Sequence, residues 1–252
     1  MAETRENPVA IVTGAGSGIG RATAVLLAQS GFNLVLVGRR MGALEETVGL
    51  FPEGAEGHCV SADLGDSEQA GSIAKSAVER FGRLDVVVNN AAVAPLLPID
   101  ETSSKLIEEV YAVNAVGPAC TIAAAWEVFK KQHAEGRSWR LGACVVNVST
   151  MGTMDPFPGF FAYASSKAAL NVMAKSCANE GKSIGVRAFS VAPGAVETEM
   201  LRTIFSKEVL PPDKCMAAQR VAEEIVACVL GERDVNNGKT VFMSADRGVV
   251  VG

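Results

Sequence analysis

Pro8-Val9-Ala10-Ile11-Val12-Thr13-Gly14-Ala15-Gly16-Ser17-Gly18-Ile19-Gly20 is the stretch on which the fold of this chain turns. Its first half is apolar and β-branched, and Pro8 to Thr13 is short enough to predict a buried strand. Glycine then alternates through the loop, and Arg21 to Ser30 reads as a helix rich in Ala and Leu. A strand feeding a glycine loop and a helix N-terminus gathers backbone N–H groups at one spot, the arrangement that holds a pyrophosphate. A glycine run alone would be a flexible turn. The strand before it and the helix after it give this one its meaning.

The same alternation continues outward. Phe32 to Gly38 predicts a second strand, with Gly31 as the helix stop before it. Gly57 to Ala62 predicts a third, closing at Asp63-Leu64, and Asp66 is placed to cap a helix running to Phe81. Asp85 to Val88 is a short apolar strand ending in Asn89-Asn90-Ala91-Ala92. Ser103 to about His133 has helical apolar spacing, interrupted near Gly117-Pro118. Further strands are expected over Ala143–Val148, Gly185–Val191 and Lys239–Met243. Helices are expected from Phe161 to Lys175, a stretch without Gly or Pro, and over Val221–Leu230. Strands alternating with helices along a whole chain imply a parallel sheet covered on both faces. The expected fold is therefore α/β, a doubly wound parallel sheet of about seven strands. Short turns, with no linker or internal repeat, predict one domain over residues 1–252, with the charged residues 1–7 flexible.

Composition narrows the function classes. At 252 residues the chain is long enough for a full core, and its formal charge of −5 comes with scattered Lys and Arg, so no footprint for nucleic acid is expected. Six cysteines lie far apart without a C-x-x-C, which suits reduced thiols and a cytoplasmic location. The two histidines, His58 and His133, lack ligand-type neighbours, so no metal site is expected. The N-terminus has no apolar signal-peptide core, and no apolar run is free enough of Gly, Pro and charge to predict a membrane span.

Two local patterns carry chemistry. Tyr163-Ala-Ser-Ser-Lys167 puts a phenol and an ammonium one helical turn apart on one face. A free tyrosine is a poor acid at neutral pH, and a neighbouring cation is expected to lower its pKa toward the working range. At the end of the second strand a nucleotide-binding fold that prefers NAD places a carboxylate for the ribose 2′-hydroxyl. This chain has Arg39-Arg40 there, which suits a 2′-phosphate and NADP(H), although Arg40 also reads as a solvated side chain.

Taken together, in order and spacing, these pieces resemble the short-chain dehydrogenase/reductase family in its single-domain, Rossmann-type form, from the first strand to at least Met200. Thr13, Gly14, Gly18 and Gly20 match its T-G-x-x-x-G-x-G, with Ser17 and Ile19 in the same cofactor loop. Asp63 matches its adenine-facing acid, and Leu64 follows it. Asn89, Asn90 and Ala91 match its N-N-A-G, with Ala92 in place of the last glycine. Asn114 matches its active-site asparagine, and Tyr163 and Lys167 its Y-x-x-x-K. Pro193, Gly194 and Thr198 match the P-G-x-x-x-T loop over the nicotinamide, which also contains Val196. The family serine is expected thirteen residues before the tyrosine. That position is Thr150, with Ser149 as the neighbouring alternative; the two side chains point to opposite faces, so only one can serve.

The resemblance implies an NADP(H)-dependent carbonyl reductase or alcohol dehydrogenase, with NAD(H) possible as cofactor. Tyr163 would be the general acid/base, Thr150 or Ser149 the hydroxyl that holds the substrate oxygen, Lys167 the group that tunes Tyr163 and grips the ribose, and Asn114 the holder of a proton-supplying water. Its partners would be a small carbonyl or alcohol and further copies of itself in a homodimer or homotetramer, without nucleic acid or membrane. A catalytically silent NADP(H)-binding sensor or scaffold is the alternative, kept open by Thr150 and Ala92; a methyltransferase would explain the glycine loop but not Tyr163 and Lys167. Met154, Phe157, Pro158 and Phe160, with Met200, Leu201, Ile204, Phe205, Leu210 and Pro211-Pro212, predict an apolar substrate wall, to which Arg202 or Lys207 could add a charge. Lys130 to Leu141 lengthens one connection, with Trp139 as its expected anchor. Met243 to Gly252 lacks the family's D-G-G ending.

Overall fold

The computed structural model describes residues 7–246 and 248–252. The expectation of flexibility for residues 1–7 falls outside them, apart from Asn7. The strands are β1 Val9–Thr13, β2 Asn33–Gly38, β3 Gly57–Ser61, β4 Val86–Asn89, β5 Cys144–Val148, β6 Arg187–Pro193, β7 Val196–Glu197, β8 Met216–Ala217, β9 Thr240–Ser244 and β10 Gly248–Val251. The helices are α1 Gly18–Gln29, α2 Met41–Val48, α3 Ser67–Phe81, α4 Ser104–Tyr111, α5 Gly117–Ala134, α6 Phe161–Glu180, α7 Glu199–Ile204 and α8 Ala218–Val229.

Eight strands form the main sheet in the order β3-β2-β1-β4-β5-β6-β9-β10, parallel throughout except for the β9–β10 pair. This is a Rossmann-like α/β fold. The sequence reading of about seven strands covers the parallel part, and the antiparallel edge strand β10 is the addition.

The strands read as continuous apolar runs because both of their faces are buried. Ala10, Val12, Leu34, Leu36, Val86 and Val88 face α1, α2 and α8 on one side; Val9, Ile11, Val35, Val37 and Val87 face α3, α5 and α6 on the other. Trp139 does anchor its long connection, meeting Phe32 edge-to-face with ring centroids 5.1 Å apart. Asp66 caps α3 as expected, its Oδ1 accepting from the N–H groups of Glu68 and Gln69.

No break occurs at Gly117-Pro118. A π-helical turn, Ala112–Val116, joins α4 to α5, and the three form one helical run, Ser104–Ala134, long and apolar enough by composition to cross a membrane. Its hydropathy has a core explanation: Thr121, Ala125, Phe129 and Gln132 are buried, with Gln132 bonding both the N–H and C=O of Leu84.

Candidate active site

A cavity of about 940 Å³ opens at the carboxyl ends of β1, β2, β4, β5 and β6, where ligands bind in open α/β sheets. One end is a backbone cradle. Gly14, Gly16, Ser17, Gly18 and Ile19 line it, and the N-terminus of α1, with no acidic residue in its first turn, points into it. Glycine is forced at two positions. A Cβ on Gly20 would lie 2.2 Å from the Gly14 oxygen, and one on Gly14 would lie 2.8 Å from Asn90 Nδ2, at a φ of +66°. Asn90 ties the cradle together: its Nδ2 donates to the carbonyls of Thr13 and Gly14, while the N–H groups of Asn90 and Ala91 donate to Thr13 Oγ1. A cradle this tight, with an uncompensated helix N-terminus, fits a dinucleotide pyrophosphate.

Sequence reading missed the support behind the cradle. Arg21 Nη2 donates to the Gly16 carbonyl at 2.7 Å and pairs with Glu46, while Thr47 Oγ1 donates to the Ala15 carbonyl at 2.9 Å. Glu46 and Thr47 belong to α2, a two-turn helix whose only apolar signal is too short to stand out.

Arg39, Arg40, Asp63 and Leu64 line the adjoining part of the cavity. Arg39 has no carboxylate partner among the described residues, whereas Arg40 reaches Glu199 at 3.5 Å. Asp63 Oδ1 accepts from the Gly65 N–H. Ala92 lines the cavity too, and no described non-glycine residue has a positive φ, so its methyl sits on unstrained backbone. Pro193, Gly194, Val196 and Thr198 line the opposite side; Gly194 N–H donates to the Met243 carbonyl, and Thr198 Oγ1 caps α7 by accepting from Leu201 N–H.

At the inner end, Tyr163 and Lys167 project from α6 and Thr150 from the turn after β5. The structure separates the two neighbouring hydroxyls. Thr150 hydrogen-bonds to the Tyr163 phenol, which favours the phenolate. Ser149 is buried, and its Oγ donates to the Lys167 carbonyl at 3.1 Å. Lys167 is buried as well, its Nζ donating to the Val148 carbonyl at 2.6 Å.

The expected lowering of the tyrosine pKa is not what this arrangement gives. Burial pushes the Tyr163 phenol up to about 12, against the smaller opposing pull of Thr150. Burial likewise pulls Lys167 down to about 7, so it is an incomplete cation at neutral pH. The spacing reading took Lys167 as a cation beside the phenol; its Nζ lies in the protein interior.

Asn114 does not line the cavity. Its Oδ1 accepts from Val93 N–H, and its Nδ2 donates to the Val93 carbonyl and Ser166 Oγ, at 2.9, 2.8 and 3.1 Å. Both amide donors are therefore spent, and the side chain is a brace between the loop after β4 and α6 rather than a water donor.

Part of the apolar wall expected from sequence lines the cavity. Phe157, Phe160, Met200, Leu201, Ile204, Phe205 and Leu210 line the cavity, joined by Met151 and Val209; Met154, Pro158, Pro211 and Pro212 do not. Phe160 meets Tyr163 edge-to-face at 5.2 Å and Phe205 at 6.5 Å, so apolar rings surround the phenol. Neither Arg202 nor Lys207 reaches the cavity. Among the described residues no cluster of His, Cys, Asp and Glu could hold a metal.

Comparison with known proteins agrees with this fold. The sequence model of the short chain dehydrogenase family matches residues 8–209. An uncharacterized oxidoreductase of Thermotoga maritima is 36% identical over 198 residues, 78% of this chain and 74% of that protein. Carbonyl reductase [NADPH] 2 of Sus scrofa is 33% identical over 247 residues, 94% of each chain. The crystal structure of a 3-ketoacyl-(acyl-carrier-protein) reductase from Brucella melitensis, complexed with NADH, superposes with a TM-score of 0.86 at 24% identity, covering 96% of this chain and 98% of that one.

Proposed function

The chain belongs to the short-chain dehydrogenase family of oxidoreductases, and from that premise we propose that it is an NADP(H)-dependent reductase of small apolar carbonyl compounds, or in reverse a dehydrogenase of the matching alcohols. The observation that carries the reading is the meeting of Thr150 and Tyr163 in an apolar cavity continuous with the glycine cradle.

A bound nicotinamide cofactor supplies the hydride. Thr150 holds the carbonyl oxygen by a hydrogen bond and fixes the geometry of attack. Tyr163 gives its phenolic proton to that oxygen as charge develops there. Lys167, one turn on and with a pKa of about 7, gains and loses a proton in the working range and restores the phenol between turnovers. Asn114 keeps Val93 and Ser166 in register with Tyr163.

Preference for NADP(H) rests on Arg39, a guanidinium at the strand end without a carboxylate partner among the described residues, with Arg40 beside it. The substrate is apolar because Phe157, Phe160, Phe205 and Leu210 wall the cavity near the phenol. The test is carbonyl-dependent oxidation of NADPH across aldehydes, ketones and diketones. Turnover in wild type and its loss in Tyr163→Phe support the proposal. NADPH binding without turnover of any of them would favour the silent sensor.

A further inference from the structure

We propose that Arg202 is a positioning residue that fastens the apolar wall of the substrate cavity to the loop flanking the nicotinamide, so that the two move as one unit. The inference rests on the carbonyl-substrate reading of the cavity given above.

Residues 198–215 leave and return through a two-stranded parallel ladder, Val196 opposite Met216 and Glu197 opposite Ala217. This excursion supplies the wall residues Leu201, Ile204, Phe205 and Leu210. Burial does not account for its order: α7 is six residues long and none of them is buried, and so short a helix has little stability of its own.

Arg202 replaces the missing core. Its side chain turns inward, 17% exposed. Nε donates to Glu197 Oε1 at 2.8 Å, and Nη2 donates to Oε2 of the same carboxylate. Nη1 donates to the carbonyls of Leu210, at 2.8 Å, and Phe205, at 3.3 Å, and Nη2 lies 3.8 Å from Cys215 Sγ. One guanidinium thus joins the residue next to Thr198, two residues of the wall and the residue before the returning strand. The pairing also holds the Glu197 carboxyl below its ordinary range.

Only a planar fork with five donors can do this; an ammonium has no second arm for the carbonyls. Movement of the wall reaches the reacting phenol, because Phe205 meets Phe160 edge-to-face and Phe160 meets Tyr163 in the same way.

The test is amide hydrogen exchange over residues 199–216, with and without NADPH, in wild type, Arg202→Ala, Arg202→Lys and Glu197→Gln. In wild type NADPH should slow exchange in this segment. Arg202→Ala and Arg202→Lys should speed it at least about tenfold, leave the strands of the main sheet unchanged, and abolish the NADPH effect on the wall. For whichever ketone is turned over, KM should rise about tenfold while kcat stays within about twofold, the signature of binding lost equally from ground state and transition state. Wild-type exchange in Arg202→Lys would show that charge alone suffices and would overturn the inference, as would faster exchange shared with the sheet. If Arg202→Ala does not fold, the lysine and Glu197→Gln variants decide. Absence of carbonyl turnover in wild type would remove the reductase reading, while the exchange data would still accept or reject the coupling.

Discussion

Replacing Lys167 by methionine should change how the stability of the cofactor-free protein depends on pH, and the structure sets the size of the change. Lys167 is 1% exposed, and burial lowers its pKa to about 7. In the unfolded chain a lysine titrates near pH 10.4. Between those two values the unfolded state binds more protons than the folded state, so stability rises with pH. The penalty is fully present below about pH 7 and vanishes above about pH 10.4. From about pH 7 to about pH 9 the gain integrates to about 2 kcal/mol, or about 4–8 °C in Tm for a chain of this size.

Methionine has similar length and no titration, so the variant should lack this slope. It should be the more stable protein near neutrality and lose that advantage as pH rises. Tyr163 acts in the opposite sense: its raised pKa adds stability below about pH 10 that is lost as pH climbs toward about 12. Cys144 and Cys177, pushed up to about 12 and about 11 by burial, act in the same sense as Tyr163. These groups are common to both proteins, so the difference between the two Tm–pH curves isolates Lys167. Parallel curves from about pH 7 to about pH 9 would refute the claim that burial has depressed this lysine.

Three further outcomes follow from the site. Thr150→Val should lower kcat by about 10²-fold with NADPH affinity kept, while Ser149→Ala should keep kcat and cost only about 1 kcal/mol of stability; the reverse pattern in steady-state kinetics and thermal melts would exchange their roles. Gly20→Ala should weaken NADPH binding at least about 10²-fold in a fluorescence titration, since neither the Gly14 oxygen nor Asn90 Nδ2 can yield. Gly71→Ala in α3, where a Cβ meets nothing within 4 Å, is its control and should be neutral or stabilising by about 0.5–1 kcal/mol. Arg39→Ala should raise the Kd for NADPH about tenfold or more and leave that for NADH nearly unchanged; equal losses would mean that Arg39 does not read the 2′-phosphate.

The fold was legible because its signals are local and repeated. Val9–Thr13 and Val86–Asn89 are strands buried on both faces, and they show as short β-branched runs beside glycine or asparagine loops. What escaped was short or depended on distant partners. The two-residue ladder of β7 and β8 carries no periodicity, and β10 shows only as valines after the last parallel strand. The glycine cradle was readable, but its fastening by Arg21 and Thr47 was not, because the connection runs from α1 to α2 through space.

Adjacent residues also hid their division of labour. Counting thirteen residues back from Tyr163 lands on Thr150 with Ser149 beside it, and only the placement of α6 sends one hydroxyl to the Lys167 backbone and the other to the phenol. Spacing placed Lys167 one turn from Tyr163 but said nothing of its burial, and burial is what decides its charge. Sequence left Arg202, with Lys207, as a charge that could serve the substrate; Glu197, five residues before it, pairs with Arg202 instead.

The central claim is that hydride passes from the nicotinamide to a carbonyl carbon while Tyr163 protonates the oxygen. The most direct measurement is a single turnover with NADPH deuterated at its transferable position, followed by mass analysis of the alcohol formed. Wild type should deliver one deuterium to the former carbonyl carbon, and Tyr163→Phe, binding NADPH equally well, should form almost no labelled alcohol. Labelled alcohol at the wild-type rate from Tyr163→Phe would contradict the account.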